Sequence, residues 1–277
     1  MRQDFYDFLE YLEFSKKRST RTREIYSQIL NDFEKYLSGD EPSEENARSF
    51  LRSRAQKISA STQSLHVSVL RSLGRWMRLE NNASSTWLLK SPKVTQKKIR
   101  VFAEEDLGLL LETVESRPVD EQILFYLLYG SALRVSEALG LEWEHIDLIK
   151  SKIRVLGKGS KWREVPLAHG AVVLLRSKQR SPGLWHQGSI PYSTAREWVF
   201  QWGRDSGLNE KYDALHPHLL RHALASHLLR RGAKLPHIQK LLGHSQLSTT
   251  EKYTHLEVDD LIRAYDKAMG TKKDLES

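Results

Sequence analysis

The sequence predicts a mainly α fold in two domains: an N-terminal four-helix bundle, then a larger α-rich domain with a small antiparallel β-sheet. Three observations predict it. Apolar side chains recur at helical period over most of the 277 residues. One stretch, 152–167, alternates instead about a Gly-Lys-Gly turn, and residues 83–100 lose the apolar period and shift to Ser, Thr, Lys and Pro92. With domains of roughly 100–200 residues as the norm, the chain reads as residues 1–82, a linker at 83–100, and a second domain at 101–277.

In the first domain Phe5, Phe8, Leu9 and Leu12 fall on one helix face, and Ile25, Ile29, Phe33, Tyr36 and Leu37 continue the pattern in a second helix. Ser19, Thr20 or Thr22 can cap that helix, with Glu24 in its first turn. A third helix follows Pro42-Ser43, and Ser61-Thr62 opens a fourth with Leu65, Val69, Leu70, Leu73, Trp76 and Met77 as its apolar stripe. In the second domain one helix carries Leu107, Leu110, Leu111 and Val114, and the next carries Ile123, Leu124, Leu127 and Leu128. Lys152–Leu156 and Trp162–Leu167 then form a hairpin with Lys158 in its turn. From Ala171 the pattern is helical, broken at 181–183, 207, 216–217, 232, 236 and 243.

Composition narrows the function. The formal charge is +8, and residues 1–100 carry most of the excess, with 19 basic against 12 acidic side chains. That balance points to a polyanionic partner. Between the first two helices, Lys16, Lys17, Arg18, Arg21 and Arg23 alternate with hydroxyls, a pattern suited to phosphate oxygens as well as to a solvated loop. The absence of cysteine excludes disulfides, thiolate nucleophiles and Cys-ligated metals. No apolar run reaches the roughly 18–20 residues of a bilayer span, and the opening residues lack a signal-peptide pattern, so a cytoplasmic location without membrane attachment is expected.

Four segments hold polar residues that fit a plain core poorly. In 129–141, Arg134 and Glu137 project into an apolar helical stretch, where a structural i, i+3 pair is as good a reading as a functional one. Lys158 by itself reads as a solvated turn lysine. In 216–229, His218 and Arg221 share a helix face, and no metal-ligand spacing accompanies the histidines, so no metal is expected. The fourth segment, 241–255, holds His244 and Tyr253, and a tyrosine alone is ordinarily a half-buried aromatic.

Taken together, these segments resemble the active site of the tyrosine recombinases, the integrase family that includes the Xer proteins. The family's Arg within a Leu-Arg-x-Ser-Glu-like segment, hairpin Lys, His-x-x-Arg, Leu-Gly-His and a Tyr nine residues later are matched at Arg134, Lys158, His218, Arg221, His244 and Tyr253. The first domain is similar to the family's SAM-like core-binding domain, with 19–26 in the usual place. Ser131-Ala132-Leu133 departs from the more usual Thr-Gly-Leu, read as a small packing change, and 166–216 is somewhat short for a Xer protein. With no arm-binding domain ahead of Phe5, the resemblance favours a simple recombinase over a lambda-type integrase.

The resemblance implies a site-specific DNA recombinase that cuts and rejoins double-stranded DNA through a 3′-phosphotyrosine on Tyr253, without cofactor or metal. Arg134 and Arg221 would bind the nonbridging oxygens, Lys158 would protonate the leaving 5′ oxygen, His218 would assist proton transfer with Tyr253, and His244 would donate to the phosphate. Glu137 is expected to orient Arg134 or the histidines, His222 to be a satisfied structural histidine, and His255 to be a surface or helix-end group. A tail of Val258, Leu261, Ile262 and Tyr265 would dock on a neighbouring protomer in a homo- or heterotetramer on two sites, or pack on its own domain. Implied partners extend to a paralogous recombinase and a septal DNA translocase. The implied task is chromosome-dimer resolution at a dif-like site, in chromosome partition and cell division. A mobile-element integrase or resolvase is the nearest rival, followed by a type IB topoisomerase and a non-catalytic DNA-binding protein.

Overall fold

A computed structural model of the chain describes residues 1–16, 20–81, 87–93, 102–157, 162–178, 183–185, 188–243 and 265, and of residues 21 and 81 the backbone alone. The chain divides into two units, Met1–Lys98 and Ile99–Ser277.

The first unit is the expected bundle: α1 (Gln3–Phe14), α2 (Thr20–Leu37), α3 (Glu44–Arg54) and α4 (Ala60–Asn81). Ser43 caps α3 by accepting from the Asn46 backbone N–H at 3.1 Å. Ser59, two residues earlier than the sequence suggests, caps α4 through the Thr62 N–H. Phe5, Phe8, Leu30, Phe33, Phe50, Leu70 and Leu73 fill the core, whereas Tyr36 and Leu65 of the expected stripes are exposed. The rest of the α4 stripe holds, with Val69, Leu70, Leu73 and Trp76 buried and Met77 half-buried, and Val67 and His66 join it. Within the segment read as linker, Leu89 is buried and Trp87 lies so close to Gly74 that a Cβ there would meet its ring at 2.5 Å. The Arg71 side chain donates to the Leu89 carbonyl at 2.7 Å, so residues 87–89 seat on the bundle.

The second unit opens with α5 (Glu104–Glu115) and α6 (Val119–Phe125). The helix expected to run on through Leu128 changes instead to a π-helical turn, Tyr126–Gly130. Such turns concentrate at functional sites, and this one leads directly to the Arg134 segment. Three antiparallel strands follow, β1 (Ile146–Asp147), β2 (Lys152–Leu156) and β3 (Trp162–Pro166), in the order β1-β2-β3 with Val155 opposite Arg163. The two-residue β1 has no sequence signal of its own. α7 (Val135–Leu139) precedes the sheet, and α8 (His169–Lys178), α9 (Tyr192–Asp205), α10 (Leu208–Tyr212), α11 (Pro217–Arg230) and α12 (Leu235–Leu242) complete the unit. α11 packs on the π turn and on α12. Among the described residues, no helix is long and apolar enough to cross a membrane.

Two polar clasps close this unit. The Tyr129 hydroxyl lies 2.9 Å from His227 Nδ1, and His227 Nε2 lies 2.6 Å from the Phe102 carbonyl. That carbonyl can only accept, so Nε2 carries the proton and Tyr129 donates to Nδ1. Near the start of α5, the Tyr212 hydroxyl donates to Asp106 and accepts from the Ala103 N–H at 2.9 Å. Tyr265 is buried in the core of its own unit, its hydroxyl donating to the Gly130 carbonyl. That residue of the tail thus packs in cis; Val258, Leu261 and Ile262 lie outside the described residues.

Candidate active site

The site is built on a carboxylate at a helix N-terminus. Arg134 does not lie on the helix, as the sequence suggested, but precedes α7 in extended backbone (φ −69°, ψ 149°). Glu137, three residues on, therefore faces back along the axis and accepts from the Arg134 backbone N–H at 2.8 Å, where the helix dipole favours negative charge. The same carboxylate accepts from Arg134 Nη1 at 2.8 Å and from both Nη atoms of Arg163 at 2.9 Å. Arg221 Nη1 stands 3.7 Å away. Three guanidinium groups thus surround one carboxylate whose side chain is 4% exposed.

Arg221 is equally enclosed. From the buried face of α11 it donates to the carbonyls of Ala132 and Leu242. Arg134 Nη2 also reaches the Leu242 oxygen, at 3.4 Å. Leu242 is the last residue of α12, so both cations converge on the negative end of a helix, which Gly243 ends at φ +58°. Ala132 holds φ +53°, a left-handed conformation that glycine takes without strain. The Ala132 departure is therefore a matter of backbone conformation more than of packing, and its carbonyl is one of the two that hold Arg221.

Charge follows from this crowding. Burial works to raise the Glu137 carboxyl, but hydrogen bonds from Arg163 and Arg134 outweigh it and hold the group below its ordinary range. Desolvation and the nearby Arg134 pull Arg221 down to about 10, which leaves it cationic at neutral pH. His218 is exposed on α11, yet partial desolvation, followed by the charges of His222, Arg221 and Arg134, lowers its pKa from the ordinary 6.5. The site therefore offers a neutral imidazole beside a positively charged pocket at pH 7.

Of the residues singled out from the sequence, the structure brings together Arg134, Glu137 and Arg221, and puts His218 one turn from Arg221 on α11. Lys158, His244, Tyr253 and His255 lie outside the described residues. Glu137 binds arginines; among the described residues no hydrogen bond joins it to a histidine. His222 is exposed, and the buried structural histidine of α11 is His227. Arg163 was missed, although a signal existed: alternation along β3 puts it on the inward side with Val165, where a cation needs a partner. In the bundle, Lys16 sits 5.6 Å over the Tyr11 ring and Arg23 pairs with Glu13 at 2.7 Å. Lys17, Arg18 and the Arg21 side chain lie outside the described residues.

Residues 100–259 match the phage integrase family, and residues 5–81 match that family's N-terminal SAM-like domain. The chain belongs to the phage integrase family. Within the family this recombinase is Xer-like: the tyrosine recombinase XerC of Escherichia coli is 34% identical over 236 residues, covering 79% of this chain and 77% of the relative. It is accordingly a site-specific DNA recombinase of the tyrosine class. Solved structures share the recombinase fold. XerH bound to a difH substrate superposes with a TM-score of 0.66 at 20% identity, covering 94% of this chain and 83% of that one. The Tn1549 transposon integrase with transposon right end DNA gives 0.69 at 15%, covering 98% and 100%.

Proposed function

We propose that this recombinase binds duplex DNA, cleaves it through Tyr253, and resolves chromosome dimers at a dif-like site in the cytoplasm. The observation that supports it most is the pair of guanidinium groups, Arg134 and Arg221, gathered on one helix-end carbonyl immediately ahead of the His244–Tyr253 segment. Two forks fixed in place before substrate arrives suit the nonbridging oxygens of a phosphodiester, on which negative charge grows in the transition state.

In this reading the Tyr253 oxygen attacks phosphorus, the bond from phosphorus to the 5′ oxygen breaks, and a 3′-phosphotyrosine forms. The phenol has a reference pKa near 10, so its proton must leave during attack, and a neutral His218 can take it. Lys158 returns a proton to the departing 5′ oxygen, and His244 donates to the phosphate. Attack of a partner strand's 5′ hydroxyl on the phosphotyrosine then reverses each transfer, so bond energy is conserved and neither cofactor nor metal is required. Lys16, Lys17, Arg18, Arg21 and Arg23 contribute phosphate contacts from the bundle.

Exchange between two sites needs four protomers, identical or shared with a paralogous recombinase, with a septal translocase as a candidate activator. The test mixes the protein with two duplexes carrying the host's chromosome-terminus site, with and without the paralogue, and scores four-way junctions. Junctions at that site support the proposal. Junctions only at mobile-element ends would assign the chain to integration or resolution of such elements, and binding without junctions under every condition would contradict recombination at this site.

A further inference from the structure

We infer that Arg163 is a positioning residue for strand cleavage, holding the Glu137 carboxylate so that Arg134 and Arg221 keep their N–H donors for the phosphate. The inference rests on the reading of the site given above. Its ground is a count of donors and acceptors around one buried group. Glu137 has two oxygens, and Arg163 lays its fork across both, Nη1 to Oε1 and Nη2 to Oε2, each at 2.9 Å. The remaining bonds at those oxygens come from the Arg134 backbone N–H and a single Arg134 Nη1. Arg134 is thereby prevented from closing its own fork on the acid, and Nη2 turns to the Leu242 carbonyl. Arg221 is likewise held off at 3.7 Å.

Without Arg163 the carboxylate would present open acceptor positions to two nearby cations. A bidentate pair is the strongest geometry available to them, so either arginine would collapse onto Glu137 and lose donors that cleavage requires.

The placement of Arg163 links the other parts of the site. It lies on β3, the hairpin arm five residues after Lys158 in sequence. Its guanidinium also lies against Gly243, the residue before His244: a Cβ added there would come within 2.8 Å of Arg163 Nε. That Nε is buried and has no hydrogen-bond partner among the described residues, so the fork on Glu137 is what fixes this side chain. Arg163 therefore ties β3 and the Gly243 end of α12 to the arginine pair.

The experiment compares wild type, Arg163→Met, Arg163→Lys, Glu137→Gln and the Arg163→Met/Glu137→Gln double variant on a nicked suicide duplex, with Tyr253→Phe as the control. It reads DNA-binding midpoint, single-turnover rate of covalent adduct formation, and the pH dependence of that rate. Arg163→Met is expected to slow the adduct by about 100-fold, the scale of a small misplacement of catalytic groups, with binding changed less than about 3-fold. Arg163→Lys keeps the charge but not the fork and should lose about 10-fold. In the Glu137→Gln background the Arg163→Met change should add less than about 2-fold, because the two act as one unit.

The acid limb of the rate profile should also move to higher pH in Arg163→Met. The groups facing Glu137 are Arg134 ahead of α7, Arg163 from β3 and Arg221 from α11, with His218 on that helix, and removing Arg163 takes away the strongest hydrogen bond opposing burial of the carboxylate. Adduct formation within about 2-fold of wild type in Arg163→Met, or an equal loss in Arg163→Lys with no acid-limb shift, would overturn the role. If Arg163→Met fails to fold, Arg163→Lys decides by the same two readouts. An adduct that persists in Tyr253→Phe would remove the site reading itself, and the role of Arg163 with it.

Discussion

Replacing Glu137 by Gln keeps the shape of the side chain and removes the charge on which three guanidinium groups depend. The carboxylate accepts four hydrogen bonds of 2.8–2.9 Å. An amide in its place offers one oxygen and turns an NH2 group toward donors, so at least one arginine loses its partner inside the domain. Breaking a buried ion pair from one side costs about 3–5 kcal/mol. The Arg134 side chain is 31% exposed and recovers part of that from water, which points to the lower end, about 3 kcal/mol. For a unit the size of Ile99–Ser277, each kcal/mol lowers the melting temperature by roughly 2–4 °C, so a fall of roughly 6–12 °C is expected. Because the folded Glu137 pKa lies below its ordinary 4.5, this stabilisation is complete above that value and fades as pH drops through the folded value. The gap between the wild-type and Glu137→Gln melting curves should therefore narrow on acidification. Near-UV circular dichroism melts at neutral and acid pH measure both effects. A shift under about 2 °C at neutral pH, or a gap that widens in acid, would refute the reasoning.

Tyr129→Phe removes the donor to His227 Nδ1 and leaves that nitrogen buried without a partner, which should cost about 1–3 kcal/mol and lower the melting temperature by roughly 2–12 °C; an unchanged melt would show that the clasp carries no stability. His218 should titrate below 6.5 in the DNA-free protein, read from its imidazole shifts by NMR, and a midpoint at or above 6.5 would contradict its partial desolvation and its crowding by His222, Arg221 and Arg134. Since His216 is lowered as well, the unfolded chain binds more protons than the folded one below that pH, and thermal stability should fall as pH drops through this window.

The helices of the bundle were legible because a buried helix face must repeat at helical period, and Phe5, Phe8, Leu9 and Leu12 do so without interruption. On α4 the buried side is wider than the stripe read from spacing: Val69, Leu70, Leu73 and Trp76 are buried as expected, Val67 joins them, and Leu65 at the edge is exposed. On α11, His218 and His222 are four residues apart and share the exposed side, while Leu220, Leu224, His227 and Leu228 share the buried one. Counting that phase separates the structural histidine from the exposed pair. The π turn at Tyr126–Gly130 has no counterpart in apolar spacing, because its hydrogen-bond shift costs no change of residue type. At the site, motif order pointed to Arg134, Glu137 and Arg221, since these lie in segments of unusual polarity. Alternation along β3 turns Arg163 inward, but its partner was hidden because Glu137 lies 26 residues away on α7 and only the fold brings the two together.

The proposed mechanism stands on Tyr253 as the nucleophile served by this arginine pair. Its most direct test is a denaturing-gel trap of the wild-type protein on a nicked suicide duplex, with the adduct digested and the modified residue located by peptide mass spectrometry. A covalent 3′-phosphotyrosine at Tyr253 is expected, lost in Tyr253→Phe with DNA binding retained. A phosphoryl link mapped to any other side chain, or an adduct that survives Tyr253→Phe, would contradict it.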